Sequence, residues 1–253
     1  MRNISRASIG HEASREAERQ LSSDTLARDA PEAELMTSRI PAARLRLIER
    51  IVSAARQLAR SERIAPRSGI PRLAESFLRA YYHGVAGEDL AARDPRYLAA
   101  AALAHWRLGR VRPRQRPLVR VLSPGAGREG SMSPHTQVLV VTNDMPFLVD
   151  SLGIVFSEAA IGVHLIVHPV LSVERDRKGE LTGAGLVEPA TRAGTAVRAG
   201  RRRAESWQFF EIDLQLDPER LIELERRLLA TLADVRAAVA DWEAMRKCAR
   251  SIA

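Results

Sequence analysis

Apolar positions in the first half of the chain recur every three or four residues, the spacing of helices that bury one face. Leu45, Leu47, Ile48, Ile51, Val52, Ala55 and Leu58 make such a stripe between Ile40 and Arg60, with Pro41 near its start. Leu73, Phe77, Leu78 and Tyr81 make a second between Pro71 and His83, broken by Gly84 and Gly87. A third opens at Asp94-Pro95 and runs through Leu98, Ala101, Leu103 and Trp106 to Arg110. The rhythm then shortens. Leu118 to Leu122 reads as a strand, followed by a loop from Ser123 to Pro134.

The most informative stretch is Thr136 to Arg175. Gln137 to Val141 is a short aliphatic strand stopped by the turn formers Asn143 and Asp144. Asn143 or Asp144 is placed to cap a helix, with Pro146 in its first turn, where the missing amide costs nothing. Phe147, Leu148, Leu152, Val155 and Phe156 follow at helical spacing, and Val163, Leu165, Val167 and Val170 to Val173 restart a strand. Asp176-Arg177-Lys178-Gly179 reads as a hairpin turn, and residues 183–205 as a flexible Gly- and Arg-rich loop. Trp207, Phe209, Ile212 and Leu214 give another strand. Asp217-Pro218-Glu219 then caps a long helix with Leu221, Leu224, Leu228, Leu232, Val235, Val239, Trp242 and Met245 on its apolar face.

The expected organisation is a disordered leader (1–37), a helical module (38–112) and an α+β domain (116–250). After Thr136 the order is β, α, β, β, α. That is a ferredoxin-like sandwich lacking its last strand. The gap suggests a piece of a longer protein.

Composition adds mainly exclusions. No stretch approaches the roughly 18 apolar residues of a membrane span, and the leader carries no secretory signal. Cys248 is the only cysteine, which rules out an internal disulfide and fits a reducing bacterial cytoplasm. The net charge of +8 comes almost wholly from arginine, with Lys178 and Lys247 the only lysines. Such usage reflects coding bias rather than a nucleic-acid partner. The one dense cluster, Arg198 with Arg201, Arg202 and Arg203, sits in the Gly-rich segment without stacking aromatics and reads as solvated.

Candidate chemistry is sparse. Gly125 to Gly130 matches GxGxxG but leads to a strand instead of a helix, so it reads as a loop rather than a dinucleotide site. His164 and His168 share a strand, where four residues span about 13 Å, too far for one metal. Cys248 is not expected to be a catalytic thiol. Asp144 and Asp150 are the carboxylates of interest. Asp144 with the amides of Phe147 to Val149 could form a small-molecule pocket. Equally, Asp144 could cap the helix and Asp150 favour its dipole.

Asn143-Asp144-Met145-Pro146-Phe147-Leu148-Val149-Asp150-Ser151, with Gly162 to Leu165 and His168 to Leu171, resembles the N-terminal region of the large bacterial NAD-dependent glutamate dehydrogenases. The likeness includes Ala92-Arg93-Asp94-Pro95, Ala104-His105-Trp106-Arg107, Pro117 to Val121, Glu205-Ser206-Trp207, Glu211-Ile212-Asp213, and the helix around Val235-Arg236 and Asp241-Trp242. It spans roughly residues 72 to 247. The resemblance implies an ACT-type module for regulation or assembly, with catalysis of L-glutamate and NAD to 2-oxoglutarate, ammonia and NADH lying downstream. It implies NAD for the full-length enzyme, with no catalytic, cofactor or metal residue in this segment. Expected partners are a downstream catalytic region, other subunits of a homo-oligomer and a small amino-acid effector. Neither nucleic acid nor membrane is expected. The ligand or interface candidates are Asn143, Asp144, Met145, Phe147, Asp150 and Ser151. Many ACT modules carry glycine where Phe147 stands, and this departure favours packing or interface over amino-acid binding. The alternative is a stand-alone ACT-like sensing or protein-interaction module.

Overall fold

The computed structural model describes residues 41–61, 70–113, 116–124, 134–187 and 202–252. Residues from Ala42 onward belong to one compact unit. The expected leader, the GxGxxG loop, and Arg198 and Arg201 lie outside the described residues.

Three of the helices follow the apolar stripes closely: α1 (Ala42–Ser61), α2 (Ile70–Tyr81) and α4 (Pro95–Gly109). The short α3 (Gly87–Ala91) escaped the periodicity because only Leu90 of its one turn is buried. Asp94 caps α4 as its sequence suggests, accepting from Arg96 N at 2.6 Å, with Pro95 in the first turn.

The strands are β1 (Leu118–Leu122), β2 (Thr136–Asn143), β3 (Val163–Val167), β4 (Val170–Arg175), β5 (Leu181–Leu186) and β6 (Arg202–Ile212). Two helices interrupt or follow them, α5 (Leu148–Glu158) and α6 (Pro218–Ile252). All pair antiparallel in the order β1-β2-β6-β4-β5, with β3 also on β6. The single strand expected over 163–173 is thus two, broken at His168-Pro169 and laid end to end along β6. β2 and β3 both run antiparallel to β6, so they are parallel to one another and need the crossover that α5 provides.

Several expectations change. Residues 183–186 and 202–205, including Arg202 and Arg203, lie in β5 and β6 and not in a loop. β6 ends at Ile212, so Leu214 falls outside it. The strand order after Thr136 gains β5. The place that a final ferredoxin-like strand would take beside β2 is held by β1, which enters from the N-terminal side. This removes the ground for inferring a longer protein from the sheet. The outer edge of β1 is also engaged, since Val121 N donates to Glu225 Oε1 at 2.8 Å.

Helices cover both faces of the sheet. Leu139, Val141, Leu165, Val167, Trp207 and Phe209 pack with Ile51, Phe77, Leu98 and Trp106 of the helical module. Their strand neighbours Val138, Val140, Phe210 and Ile212 pack with Leu148, Leu152 and Phe156 of α5 and with Leu224, Leu228 and Leu232 of α6. Alternate residues of a strand point to opposite faces. A run such as Val138-Leu139-Val140-Val141 therefore needs two covered faces, and it has them. The apolar stripe of α6 is buried only as far as Val235, with Val239 partly covered; Trp242 and Met245 are 59% and 57% exposed.

Candidate functional site: the corner from Asn143 to Ser151

β2 ends at Asn143, which lies opposite Glu205 of β6. Asp144 N then donates to Ala204 O at 3.2 Å. The chain turns through Met145 and Pro146, and Phe147 takes a left-handed conformation (φ 67°, ψ 6°) before α5 begins at Leu148. Phe147 is the N-cap residue and supplies no side-chain bond to the helix amides. The N-cap position expected of Asn143 or Asp144 is taken by Phe147, and Pro146 precedes the helix instead of opening it. The left-handed Phe147 interrupts the helical run, so the helix starts later than the apolar rhythm suggests. Asp150 does lie in the first turn of α5, where a carboxylate favours the helix dipole.

The six candidates divide by environment. Met145 packs against the α5–α6 core. Asn143 and Ser151 are half-buried, while Asp144, Phe147 and Asp150 are exposed at one corner. Phe147 is 66% exposed in a backbone region that side chains rarely adopt. Beneath this corner His168 Nε2 lies 2.8 Å from Ser206 Oγ, and Gln208 Nε2 donates to the same oxygen at 2.9 Å. Burial lowers the His168 pKa from its ordinary value, and the charge of Asp144 opposes the shift.

His164 lies in β3 and His168 in the break before β4, so they do not share the strand expected of them, and they take separate partners. His164 Nε2 is 2.8 Å from Asp213 Oδ1, and its ring stacks on His135. Among the described residues no group of three His, Cys, Asp or Glu could hold a metal ion, and no helix is long and apolar enough to cross a membrane. Cys248 is exposed.

Sequence reasoning missed the buried polar groups on the other face. Glu205 receives Arg175 through two 2.8 Å bonds, from Nε and Nη2, and Arg112 Nη1 at 2.8 Å. Burial lowers the Arg112 pKa, while Glu205 pulls it back up. Glu211 accepts from Tyr97 Oη and from Arg93 Nε at 2.9 Å, and Arg93 also reaches His164 O at 3.1 Å. His105 bridges Tyr81 Oη at 2.8 Å and Val140 O at 3.1 Å, and burial lowers its pKa to about 3. These groups tie helical module to sheet. The signal was present: Glu205 and Glu211 share strand parity with Trp207 and Phe209, which puts carboxylates on an apolar face.

The sequence matches the family described as "Glutamate dehydrogenase, ACT1 domain" over residues 77–228, from α2 through the sheet into α6. It is 35% identical over 192 residues to the NAD-specific glutamate dehydrogenase of Halomonas elongata, covering 75% of this chain and 11% of that protein. The enzyme of the same name from Pseudomonas aeruginosa is 34% identical over 176 residues, covering 70% of this chain and 10% of that one. That of Mycobacterium tuberculosis is 32% identical over 142 residues, covering 56% and 8%. The chain spans about a tenth of the length of these curated relatives. With well over half its length matched, the chain belongs to the glutamate dehydrogenase ACT1 domain family.

Proposed function

We propose that this chain is the N-terminal, non-catalytic region of an NAD-dependent glutamate dehydrogenase and serves subunit assembly or allosteric control. The observation that carries the reading is the family match across the whole sandwich. Within it, the corner from Asn143 to Ser151 is the ligand or partner locus. An exposed Phe147 in strained backbone contributes little to an isolated fold, so a role in contact is its best rationale. The N-cap residue Phe147 gives the helix amides no side-chain bond, and Asp144 is exposed three residues before it. Such a corner can receive the paired charges of a small amino acid. Its partners in this reading are a downstream catalytic region and further subunits, and NAD serves the full-length enzyme.

The test is genetic and chemical. Removing the coding segment from its own cells should abolish NAD-linked glutamate oxidation in extracts, and an unchanged rate would sink the reading. Titrating amino acids while following the amide signals of Leu148 to Asp150 tests the effector half. Unmoved signals would leave assembly alone.

A second reading is a stand-alone ACT-like sensing or interaction module in the bacterial cytoplasm. It gains from β1, which fills the sheet position beside β2. An immunoblot against residues 136–175 separates the two: a band near 28.0 kDa favours the module, and one several times larger favours the dehydrogenase.

A further inference from the structure

We propose that the sandwich interior below the start of α5 contains a water-binding seat between Thr142 and Gln208. Thr142 and Gln208 are both fully buried, and Thr142 Oγ1 and Gln208 Oε1 have no hydrogen-bond partner. The register brings them together. Thr142 lies directly opposite Ser206 and Val140 opposite Gln208, so all three polar side chains point to the α5–α6 face of the sheet. Gln208 leans toward Thr142, because its Nε2 donates to Ser206 Oγ at 2.9 Å. Thr142 and Gln208 are diagonal neighbours, a relation that spans about 7–8 Å on paired strands, and the Gln208 side chain is long enough to bring Oε1 within a water's span of Thr142 Oγ1.

The chemistry of the guest follows from the two atoms. Gln208 Oε1 is an acceptor and requires a donor; Thr142 Oγ1 both donates and accepts. Neither is charged and both are wholly enclosed, so an ion would be taken from water with nothing beside it to balance its charge. A compact neutral molecule that donates and accepts meets the need, and polar interiors are met in this way by ordered water. The path inward is His168, a partly exposed side chain 2.8 Å from Ser206 Oγ at the rim of the seat. The seat is distinct from the exposed corner of Asp144 and Phe147, and it stands whether or not that corner binds an effector.

A high-resolution crystal structure of the chain tests this directly. A solvent peak about 2.7–3.2 Å from both Thr142 Oγ1 and Gln208 Oε1 is the expected result. Density showing the space empty, or Gln208 turned to a protein partner, overturns the proposal. Thr142→Val gives an independent reading by sign. With water bound, losing the hydroxyl leaves the water underbonded, and Tm should fall by about 2–4 °C. With the seat dry, the same change removes an unpaired polar atom, and a rise in Tm overturns the proposal. Thr142→Ser keeps the hydroxyl and should keep the solvent peak, which decides the matter if the valine variant does not fold.

Discussion

The two faces of the sheet differ in which polar groups they satisfy: under the helical module the Trp106 and Trp207 indole N–H groups lack a partner, while the charged groups and the imidazole are paired. On the face under the helical module, Glu205, Glu211 and His105 are fully enclosed and each has two or more partners from a different element. On the face under α5 and α6, Ser206 is bonded, but Thr142 Oγ1 and Gln208 Oε1 are not. The first arrangement fixes one element against another, because a buried charge or imidazole tolerates only the geometry that satisfies it. The second leaves polar capacity beneath the corner where the candidate ligand or interface residues lie. The module is therefore locked to the sheet, and adaptable chemistry is kept for the other side.

The sharpest way to break the lock is to remove Glu205. Two arginines, one of them wholly buried, would lose the carboxylate they share. Removing one member of a buried ion group costs about 3–5 kcal/mol. Denaturant unfolding of Glu205→Ala should show a loss of that size. A loss below about 1 kcal/mol would mean that the arginines find water, as surface pairs do.

Packing on the same face offers the next test. A Cβ at Gly109 would lie 2.1 Å from the Trp207 ring, in the heart of the aromatic cluster with Phe77. Gly109→Ala should cost about 1–3 kcal/mol, since overpacking forces side chains off their preferred rotamers. A neutral result would show that the indole can slide.

These groups explain how far the sequence could be read. The three longer helices of the module, the strands β1 and β2 and the later half of β6 were legible because burial on one or two faces writes itself as period 3.6, period 2 or a continuous apolar run. The kink at His168-Pro169 was not, because Val163 to Val173 is apolar on both sides of it. Neither was the position of β1, since register in a sheet is a long-range property that local pattern does not encode. At the candidate corner the residues were legible, but the helix start was not. The left-handed Phe147 gives no signal in sequence, where glycine or asparagine would have given one. The resemblance to the dehydrogenase family rests partly on Ala92 to Pro95, Ala104 to Arg107, Glu205 to Trp207 and Glu211 to Asp213. In the fold these stretches supply the lock between module and sheet.

His105 turns the lock into a pH dependence. Its pKa in the fold is about 3, against an ordinary 6.5, because burial disfavours the charged ring. Below pH 6.5 the unfolded chain takes up a proton that the folded chain refuses. This contribution to stability is complete above 6.5 and is lost as the pH falls toward 3. The slope from this one group approaches about 1.4 kcal/mol per pH unit. Melting curves across pH 4 to 7 should show it in the parent chain. In His105→Gln the slope should flatten, whatever the variant does to stability at pH 7.

The smallest expected effect concerns the adaptable side. Phe147 holds φ 67° with two-thirds of its surface exposed, so its side chain adds little packing to offset the backbone strain. Glycine adopts this region freely but loses more chain entropy on folding, and the two terms nearly cancel. Phe147→Gly should therefore leave the stability of the chain within about 1 kcal/mol of the parent, with any gain coming from released strain. Its effect on association should be larger and of opposite sign. If the corner is a contact surface, the glycine variant loses an aromatic anchor, and any oligomer that the parent chain forms in sedimentation velocity at fixed concentration should shift to smaller species. A variant that is both as stable and as fully assembled as the parent would move the contact role elsewhere.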